Sequence, residues 1–317
     1  MRSLVFDQSL RFDANRPEPA AADGDTLLRV RQAGICSTDL ELCKGYMNFR
    51  GVLGHEFVAD VVSCPDASLV GRRVCAEINC VCGKCDLCVS GLSNHCRNRS
   101  VVGIHRHDGA FADFVRVPSA NLHAVPGSVD DDQAVFVEPL AAAFQITKQL
   151  KFDERTFVTV LGAGRLGLLV AQVLRNTGAP VRVVGRNPET LQLCEKWQVR
   201  ARSVNDIVPR HDQDVVVDCT GSAEGFELAM QMVRPRGTIV LKSTVAGGKT
   251  LNLAPVVVDE VAVIGSRCGP FREAIRALAE RSVDVLSLIR RRTKLEQGVE
   301  AIELASRRGV LKVMLTM

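Results

Sequence analysis

The sequence predicts an α/β protein in which a mostly β region is followed by a doubly wound parallel sheet. Short β-like runs broken by Gly and Pro dominate the part of the chain before Asp131. After that point, apolar strands alternate with helical segments, which is the pattern of a parallel sheet covered on both faces. A length of 317 residues agrees with about two domains.

The N-terminal region is predicted to be a compact and mostly antiparallel β domain. It has no long helical period, and its short apolar runs are separated by turn residues. Its clearest candidate strands are Thr26–Arg31, Phe57–Ser63, Arg73–Ala76 and Ala112–Val117.

The second region is predicted to alternate between strands and helices. Its candidate strands are Thr156–Leu161, Val181–Val184, Val215–Asp218, Thr238–Lys242 and Val261–Ile264. Its candidate helices are Gln133–Leu150, Leu166–Asn176, Glu189–Trp197, Gly225–Val233 and Pro270–Arg281. The final segment ends in the strand-like Val310–Leu315, and periodicity leaves open which domain that strand joins.

Charge and terminal composition exclude several classes of protein. A net charge of +4 is too small to indicate nucleic-acid binding, and the densest basic stretch, Arg290–Arg292 with Lys294, predicts a solvated surface turn. The N-terminus has no signal-peptide core, and no apolar run is long enough to span a bilayer. We therefore expect a cytoplasmic protein that binds neither nucleic acid nor membrane.

Four of the 12 cysteines are clustered with the spacing C-x2-C-x2-C-x7-C. In a reducing compartment such a cluster indicates metal ligands rather than disulfides. Cys82, Cys85, Cys88 and Cys96 suit a closed tetrahedral zinc site, which leaves no position open for chemistry. Other cysteines, such as Cys43, Cys64, Cys194 and Cys219, are expected to be small buried hydrophobic residues.

A glycine-rich turn directly after an apolar strand predicts dinucleotide binding. Gly162, Gly164 and Gly167 form G-x-G-x-x-G between a candidate strand and a candidate helix. The first glycine permits the tight turn, the second admits the pyrophosphate, and the third allows close helix–strand packing. The helix N-terminus then offers N–H groups to the anion.

The end of the next strand predicts NADP rather than NAD. An NAD site usually has an acidic residue here, but this strand ends in Gly185, Arg186 and Asn187. An arginine can pair with a 2′-phosphate. The alternative is that Arg186 only stacks on the adenine.

A more scattered set of side chains predicts a second metal site. Cys36, His55, Glu56 and Glu138 would each be unremarkable alone, since a single cysteine is usually a core residue. Together they suit a zinc with three protein ligands and one open position, where a carbonyl or alkoxide oxygen can bind. Asp39 could orient a ligand, and Thr38 could carry the alcohol proton.

The assembled motifs resemble the zinc-containing medium-chain dehydrogenases, which include alcohol, sorbitol, threonine and glucose dehydrogenases. The resemblance covers nearly the whole chain through GICSTD, GHE, the four-cysteine segment, DGAFADFVRVP, VEPLAAA, GAGRLG, VVDCTG and GSRCGPFREAI. It implies a GroES-like catalytic domain over 1–132 and 285–317, with a structural-zinc lobe at about 80–97. It also implies a Rossmann domain over 133–284.

The resemblance also implies roles for individual residues. Cys36, His55 and Glu138 fall on the catalytic zinc ligands, Glu56 on a carboxylate that can approach the zinc, and Thr38 on the proton relay. Gly265 and Arg267 fall beside the nicotinamide, and Lys312 beside the pyrophosphate. The full set of expected cofactor contacts is Gly162, Gly164, Arg165, Leu166, Gly167, Gly185, Arg186, Asn187, Thr220, Gly265, Arg267 and Lys312.

Two departures from the family concern the substrate. Glu41 stands where many members have a relay histidine, so the relay is changed or ends in water. The stretch from Gly45 to Leu53 is short, which suggests a more open pocket or one completed by a neighbouring subunit. His105 and His107 could touch substrate, although an exposed loop is the simpler interpretation.

These features predict a zinc-dependent oxidoreductase that moves a hydride between an alcohol, polyol or sugar hydroxyl and NADP or NAD. Two zinc ions per chain are expected. The alternative is a non-catalytic, dinucleotide-responsive binding protein, which loss of Cys36, His55 or Glu138 would favour. A zinc-free reductase would lack the four-cysteine segment. By resemblance, a homodimer or homotetramer is expected, with Val256–Ile264 as a candidate sheet edge.

Overall fold

A computed structural model describes residues 1–20, 24–243 and 251–317 of the chain. These residues form two compact units. The first unit comprises Met1–Glu138, Ala274–Glu280 and Leu288–Met317. The second unit comprises Pro139–Glu273 and Arg281–Ser287.

The strands are numbered in chain order. They are β1 (Ser3–Asp7), β2 (Ser9–Asp13), β3 (Asp25–Gly34), β4 (Gly51–Val52), β5 (Glu56–Ser63), β6 (Arg73–Ala76), β7 (Asn79–Cys80), β8 (Ser100–Val101), β9 (Phe114–Pro118), β10 (Leu122–Ala124), β11 (Val158–Leu161), β12 (Val181–Gly185), β13 (Arg200–Ser203), β14 (Gln213–Asp218), β15 (Val233–Leu241), β16 (Ala262–Gly265), β17 (Ile289–Lys294) and β18 (Lys312–Thr316).

The α-helices are numbered in the same way. They are α1 (Ser37–Leu42), α2 (Asp86–Val89), α3 (Asp131–Ala134), α4 (Val137–Gln149), α5 (Arg165–Arg175), α6 (Pro188–Lys196), α7 (Ala223–Met232), α8 (Ala254–Val258), α9 (Phe271–Ala279) and α10 (Gly298–Ser306). Among the described residues, no helix is both long and apolar enough to cross a membrane.

The first unit is built on a seven-stranded sheet in the order β10-β6-β5-β3-β18-β17, and β9 pairs with the other end of β3. Most of these pairings are antiparallel, as predicted, whereas β17 and β18 run parallel. The C-terminal strand β18 pairs with β3, which answers the question that periodicity left open. In this register Gly34 lies between Glu56 on β5 and Met314 on β18.

The second unit is a six-stranded parallel sheet in the order β13-β12-β11-β14-β15-β16. The predicted Rossmann fold is therefore confirmed. The strand order reverses between β11 and β14, and a ligand crevice is expected outside the carboxyl ends of strands at such a point. Strand β13, with the sequence RARS, was not predicted because it has no apolar pattern.

Two sequence predictions are wrong in detail. The basic stretch Arg290–Arg292 with Lys294 is solvent-exposed, as predicted, but it forms edge strand β17 instead of a turn. Charged side chains suit such an edge because they discourage pairing with other chains. The single helix predicted over 133–150 is two helices, α3 and α4. Pro139 fits the first turn of α4, but its ring would clash with the preceding carbonyls of a continuous helix.

Candidate active site and metal centres

The first candidate site lies where β3 ends and β5 begins. Cys36 precedes α1, and His55 and Glu56 lie at the start of β5. One donor atom from each of these three residues lies within 4.8 Å of the others. His55 and Glu56 are buried, whereas Cys36 is half-buried. A thiolate, an imidazole and a carboxylate at this separation fit a zinc ion after a small contraction.

Asp39 connects the two segments that carry these donors. Its Oδ2 accepts a hydrogen bond from the backbone N–H of Cys36 at 2.8 Å, and its Oδ1 accepts one from that of Gly54 at 3.3 Å. His55 Nδ1 lies 3.3 Å from the same Oδ1. Nδ1 is left without a well-aligned hydrogen bond, so we interpret this contact as electrostatic. Fully buried Asp39 therefore fixes both segments and places its charge beside the His55 ring.

The charge around His55 favours a cation. Burial disfavours the imidazolium, but Asp39 and Cys36 more than offset this effect, so the pKa of His55 lies well above its ordinary value. A proton and a metal ion compete for such a position, because ligands must be deprotonated to bind metal. The donor set is thus negatively charged and suited to a divalent ion.

Glu56 is also paired with Lys312 from β18. The Lys312 ammonium forms an ion pair with Glu56 Oε2, lies 3.5 Å from the carbonyl of Ile35, and stands 5.4 Å from the centre of the Phe136 ring. Both charged side chains are only 1 % exposed. The residue expected near the pyrophosphate is thus engaged inside the first unit.

Thr38 and Glu41 lie on helix α1 next to Cys36, whereas Glu138 lies on helix α4. Thr38 Oγ1 lies 3.7 Å from Cys36 Sγ. Glu41 forms a 2.8 Å ion pair with Lys44. Glu138 is half-buried in the first turn of α4 and is not one of the three residues in the Cys36 group.

The four clustered cysteines form the second candidate metal site, the lobe between β7 and β8. The Sγ atom of Cys85 lies 3.5 Å from that of Cys88 and 3.8 Å from that of Cys96, and Cys96 lies 3.5 Å from Cys82. A disulfide would require about 2.05 Å. Tetrahedral zinc with bonds of about 2.3 Å requires sulfurs about 3.8 Å apart. The lobe therefore has the dimensions of a four-thiolate zinc site.

In the second unit, the G-x-G-x-x-G turn has the geometry that phosphate binding requires. Gly162 follows β11 with a φ of 102°, which L side chains rarely adopt. A Cβ on Gly167 would lie 1.9 Å from the carbonyl oxygen of Gly162, so α5 packs too closely for any side chain there. A Cβ on Gly164 would meet no atom within 4 Å, and Gly164 begins α5 without a side-chain cap. Open space next to free helix N–H groups suits an anion.

The other predicted cofactor contacts lie at the same carboxyl edge of the sheet. Gly185 ends β12, exposed Arg186 follows it, and the Asn187 side chain caps α6 by accepting from Glu189 N–H at 2.9 Å. Thr220 Oγ1 donates to Asp218 Oδ1 at 2.7 Å. Arg165 and Leu166 open α5, while Gly265 ends β16 and exposed Arg267 follows two residues later.

Sequence reasoning missed one cation at this edge. Lys242 follows β15, and its Nζ donates to the carbonyl of Ala142 at 2.6 Å and contacts Ser266 Oγ at 3.2 Å. It thereby links α4 to the segment that contains Gly265 and Arg267. A charged residue directly after an apolar strand was the available signal, because that position falls at the ligand edge of a parallel sheet.

The parallel sheet with its glycine turn, together with two metal-ligating groups, defines a metal-dependent oxidoreductase that uses a dinucleotide. Comparison with known families agrees. Residues 22–127 match the alcohol dehydrogenase GroES-like domain, and residues 166–283 match the zinc-binding dehydrogenase domain. The chain belongs to the zinc-binding dehydrogenase family, and the predicted GroES-like fold is confirmed.

Curated relatives are dehydrogenases of hydroxyl compounds. A sorbitol dehydrogenase from Halalkalibacterium halodurans is 27 % identical over 95 % of this chain and 94 % of its own length. An L-threonine 3-dehydrogenase from Alteromonas mediterranea is 33 % identical over 73 % of this chain and 70 % of its own length. The predicted enzyme class is confirmed.

Solved structures extend the likeness across the chain. A protein described as a zinc-binding dehydrogenase, from Sinorhizobium meliloti 1021, was crystallised with NADP. It is 28 % identical to this chain, with a TM-score of 0.87, and the match covers 100 % of this chain and 99 % of that one. An alcohol dehydrogenase from Escherichia coli CFT073 was crystallised with NADH; it is 25 % identical, with a TM-score of 0.90 and the same coverage. Structural relatives thus bind either nicotinamide cofactor.

Proposed function

We propose that this oxidoreductase oxidises a hydroxyl group of a small alcohol, polyol or sugar, or reduces the matching carbonyl, at the Cys36 group. The observation that carries the proposal is the Asp39 carboxylate, which fixes Cys36 and the Gly54–His55 segment so that a thiolate, an imidazole and a carboxylate converge. Buried charged and polar groups are costly unless they are paired or bind a metal, so their convergence here supports a metal-binding role.

Cys36, His55 and Glu138 are proposed as the ligands of a catalytic zinc, Glu138 because of the resemblance of its VEPLA segment to the family. Glu56, the carboxylate that converges with Cys36 and His55, is proposed as one that can approach the zinc when the ligands rearrange. A zinc held there would act as a Lewis acid that lowers the energy of the substrate alkoxide. Asp39 orients His55, and Lys312 balances the charge of Glu56. Cys82, Cys85, Cys88 and Cys96 are proposed to hold a second, structural zinc.

Thr38 is proposed to accept the proton of the substrate hydroxyl. Its hydroxyl lies 3.7 Å from Cys36 Sγ, so it stands beside the metal-ligating group without belonging to it. Glu41 lies three residues further along α1, and residues three apart share a helix face. The proton could pass from this face to water, because Glu41 is partly exposed and its charge is balanced by Lys44.

NADP is proposed as the preferred cofactor. The second strand of the Rossmann sheet ends without a carboxylate, and the Arg186 guanidinium is exposed and has no hydrogen-bond or ion-pair partner among the described residues. An uncommitted guanidinium at this position suits a 2′-phosphate. The pyrophosphate would lie over Gly164 at the start of α5, and Gly265 and Arg267 would flank the nicotinamide.

A homodimer or homotetramer formed through the edge of the second sheet is also proposed, as is a cytoplasmic location. Edge strand β16 exposes Val263, which is 39 % accessible, and neighbouring helix α8 exposes Val257 and Val258, which are 76 % and 78 % accessible. Such an apolar edge is expected to be covered in solution. Unpaired cysteines are typical of a reducing compartment, which supports the cytoplasmic location.

The test combines metal analysis with turnover. The purified protein should contain two zinc ions per chain and oxidise at least one member of a panel of alcohols, polyols and sugars with NADP or NAD. Cys36→Ser should leave one zinc, abolish turnover and retain cofactor binding. Cys43→Ser, at the C-terminal end of the same helix α1 and outside the metal group, is the matched control. Turnover by Cys36→Ser would refute the proposed site.

A further inference from the structure

The backbone segment immediately before His55 packs against a loop from further along the chain. Residues 103–111, with the sequence GIHRHDGAF, run alongside the segment Val52–Gly54. Three consecutive backbone hydrogen bonds join them: Gly109 N–H donates to Val52 at 2.8 Å, Phe111 N–H to Leu53 at 2.8 Å, and Ala110 N–H to Gly54 at 2.8 Å. The peptide immediately before His55 is therefore held by a loop that contains no proposed metal ligand.

This contact is closer than ordinary packing because glycines lie on both sides. A Cβ on Gly109 would lie 2.3 Å from the Gly54 carbonyl oxygen and 2.4 Å from that of Leu53. A Cβ on Gly103 would lie 2.3 Å from the same Gly54 oxygen. We refer to Gly54, Gly103 and Gly109 as the glycine junction. None of these contacts involves a flexible side chain that could move aside.

The backbone of Gly54 is confined on all sides within the junction. Its φ is 96°, and a Cβ there would lie 2.3 Å from the Phe111 ring. Its N–H donates to Asp39 while its carbonyl accepts from Ala110. The two peptide groups that flank Gly54 are thus both held: the Asp39 carboxylate holds the preceding one, and the loop holds the one that leads into His55.

The loop is anchored in turn by Asp108. Its Oδ1 accepts from Val52 N–H at 2.9 Å, and its Oδ2 pairs with Arg16 at 2.7 Å. A Cβ on Gly51 would lie 2.5 Å from Asp108 Oδ1, so the approach is again close. The loop cannot slide along β4 without losing these contacts.

We infer that Gly103 and Gly109 are positioning residues for His55, and that the glycine junction sets the place of the imidazole in the metal group. The inference rests on the proposed role of His55 as a zinc ligand. A displacement of about 1 Å at a catalytic group can reduce turnover by about 100-fold. Partners behind a metal ligand typically change metal affinity by about 10–100-fold.

The experiment uses Gly109→Ala, because its backbone is not in the left-handed region and the new methyl group acts through contact alone. We expect this variant to keep the lobe zinc, to bind zinc at the Cys36 group about 10–100-fold more weakly, and to change the absorption spectrum of the cobalt-substituted Cys36 group. The KM for the cofactor should not change. Gly237→Ala is the control, since it presses a methyl group against the Val233 side chain and two backbone carbonyl oxygens of the second unit, which contains neither metal group.

Phe111→Leu tests the same inference if Gly109→Ala does not fold. Leucine removes the ring that confines Gly54, so the same selective loss at the Cys36 group is expected while the lobe stays loaded. Wild-type zinc affinity and an unchanged cobalt spectrum in a folded variant would overturn the inference, as would equal loss from both metal groups. If wild-type protein holds only the lobe zinc, the proposed function fails instead.

Discussion

Lys312 and Glu56 form an ion pair inside the first unit, with only 1 % of each side chain exposed. The two residues belong to β18 and β5, which both pair with β3. Neither charge is balanced by water, so each depends on the other. Gly34 makes room for the pair, because a Cβ there would lie 2.9 Å from Glu56 Oε2 and 3.2 Å from Lys312 Cδ.

Replacing Lys312 by methionine should therefore lower the free energy of unfolding by about 3–5 kcal/mol, because Glu56 is left buried without its cation. Chemical denaturation of metal-free protein measures the effect. Adding Glu56→Gln should restore part of the stability, since a neutral amide needs no counter-charge. Lys294→Met on exposed strand β17 is the control and should change stability by less than about 0.5 kcal/mol. Equal unfolding midpoints for the two methionine variants would contradict this account.

The four-cysteine lobe should lose zinc in mildly acidic solution. Hydrogen bonds from the backbone N–H groups of Lys84 and Cys85 lower the pKa of Cys82 to about 6. A depressed pKa favours the thiolate at neutral pH, and this contribution is lost as the pH falls through about 6. Burial raises the pKa of Cys88 to about 12, so at that sulfur a proton competes with zinc already at neutral pH. Zinc binding requires the thiolate, so the affinity of the lobe for zinc should fall further as the pH drops through about 6, which competition with a chromogenic chelator measures.

Cys88→Ser should cause the lobe to lose its zinc already at neutral pH and should lower the melting temperature. Turnover per folded molecule should stay largely intact. Cys80→Ser, just outside the cluster, provides the comparison. Loss of turnover in folded Cys88→Ser protein at full occupancy of the Cys36 group would show that the lobe does more than stabilise.

Two alanine substitutions in the glycine turn should impair different properties, one cofactor binding and the other stability. Gly164→Ala should fold normally, because its methyl group enters open space, but that space is where the pyrophosphate is proposed to lie. Cofactor affinity should therefore fall at unchanged melting temperature. Gly167→Ala should lower the melting temperature itself, since its methyl group would meet the Gly162 carbonyl at 1.9 Å. Calorimetric titration with NADP and thermal denaturation separate the two effects.

Arg186→Ala should shift cofactor preference. Removing the guanidinium should reduce kcat/KM for NADP about tenfold or more, as expected for one lost charge-assisted contact, with little change for NAD. Lys196→Ala, at the end of α6, is the matched loss of one positive charge. An unchanged ratio of the two kcat/KM values would indicate that Arg186 only stacks on the adenine.

Local patterns were sufficient to predict the Rossmann unit. Strands β11 and β12 are mostly apolar, and a glycine follows β11 and ends β12. The sequence between Val158 and Gly185 therefore indicates both the strands and the carboxyl edge of the sheet where they end. Charged strands were missed: β13 and β17 are edge strands with few buried side chains, so neither has an apolar period. The break before α4 is a local effect of Pro139 that the apolar pattern concealed.

Long-range relationships could not be predicted from spacing. The motifs indicated Cys36 and His55 separately, but not that Asp39 fixes both segments. Nothing near Gly109 in the sequence indicates that it touches the Gly54 carbonyl. Such contacts depend on strand register and on how closely two backbones approach, and a single sequence contains no direct signal for either.

The two metal groups differ in how much of the chain must exist before they can form. In the lobe, Cys82 and Cys96 are only 14 positions apart, and closing so short a loop costs little entropy. Glu56 and Lys312 are 256 positions apart, so the charge beside the Cys36 group stays unbalanced until the final strand is synthesised. During translation the lobe should therefore be able to take up zinc early, whereas a chain cut short before β18 would leave Glu56 without its cation and β3 without its β18 neighbour, and should become a target for proteolysis.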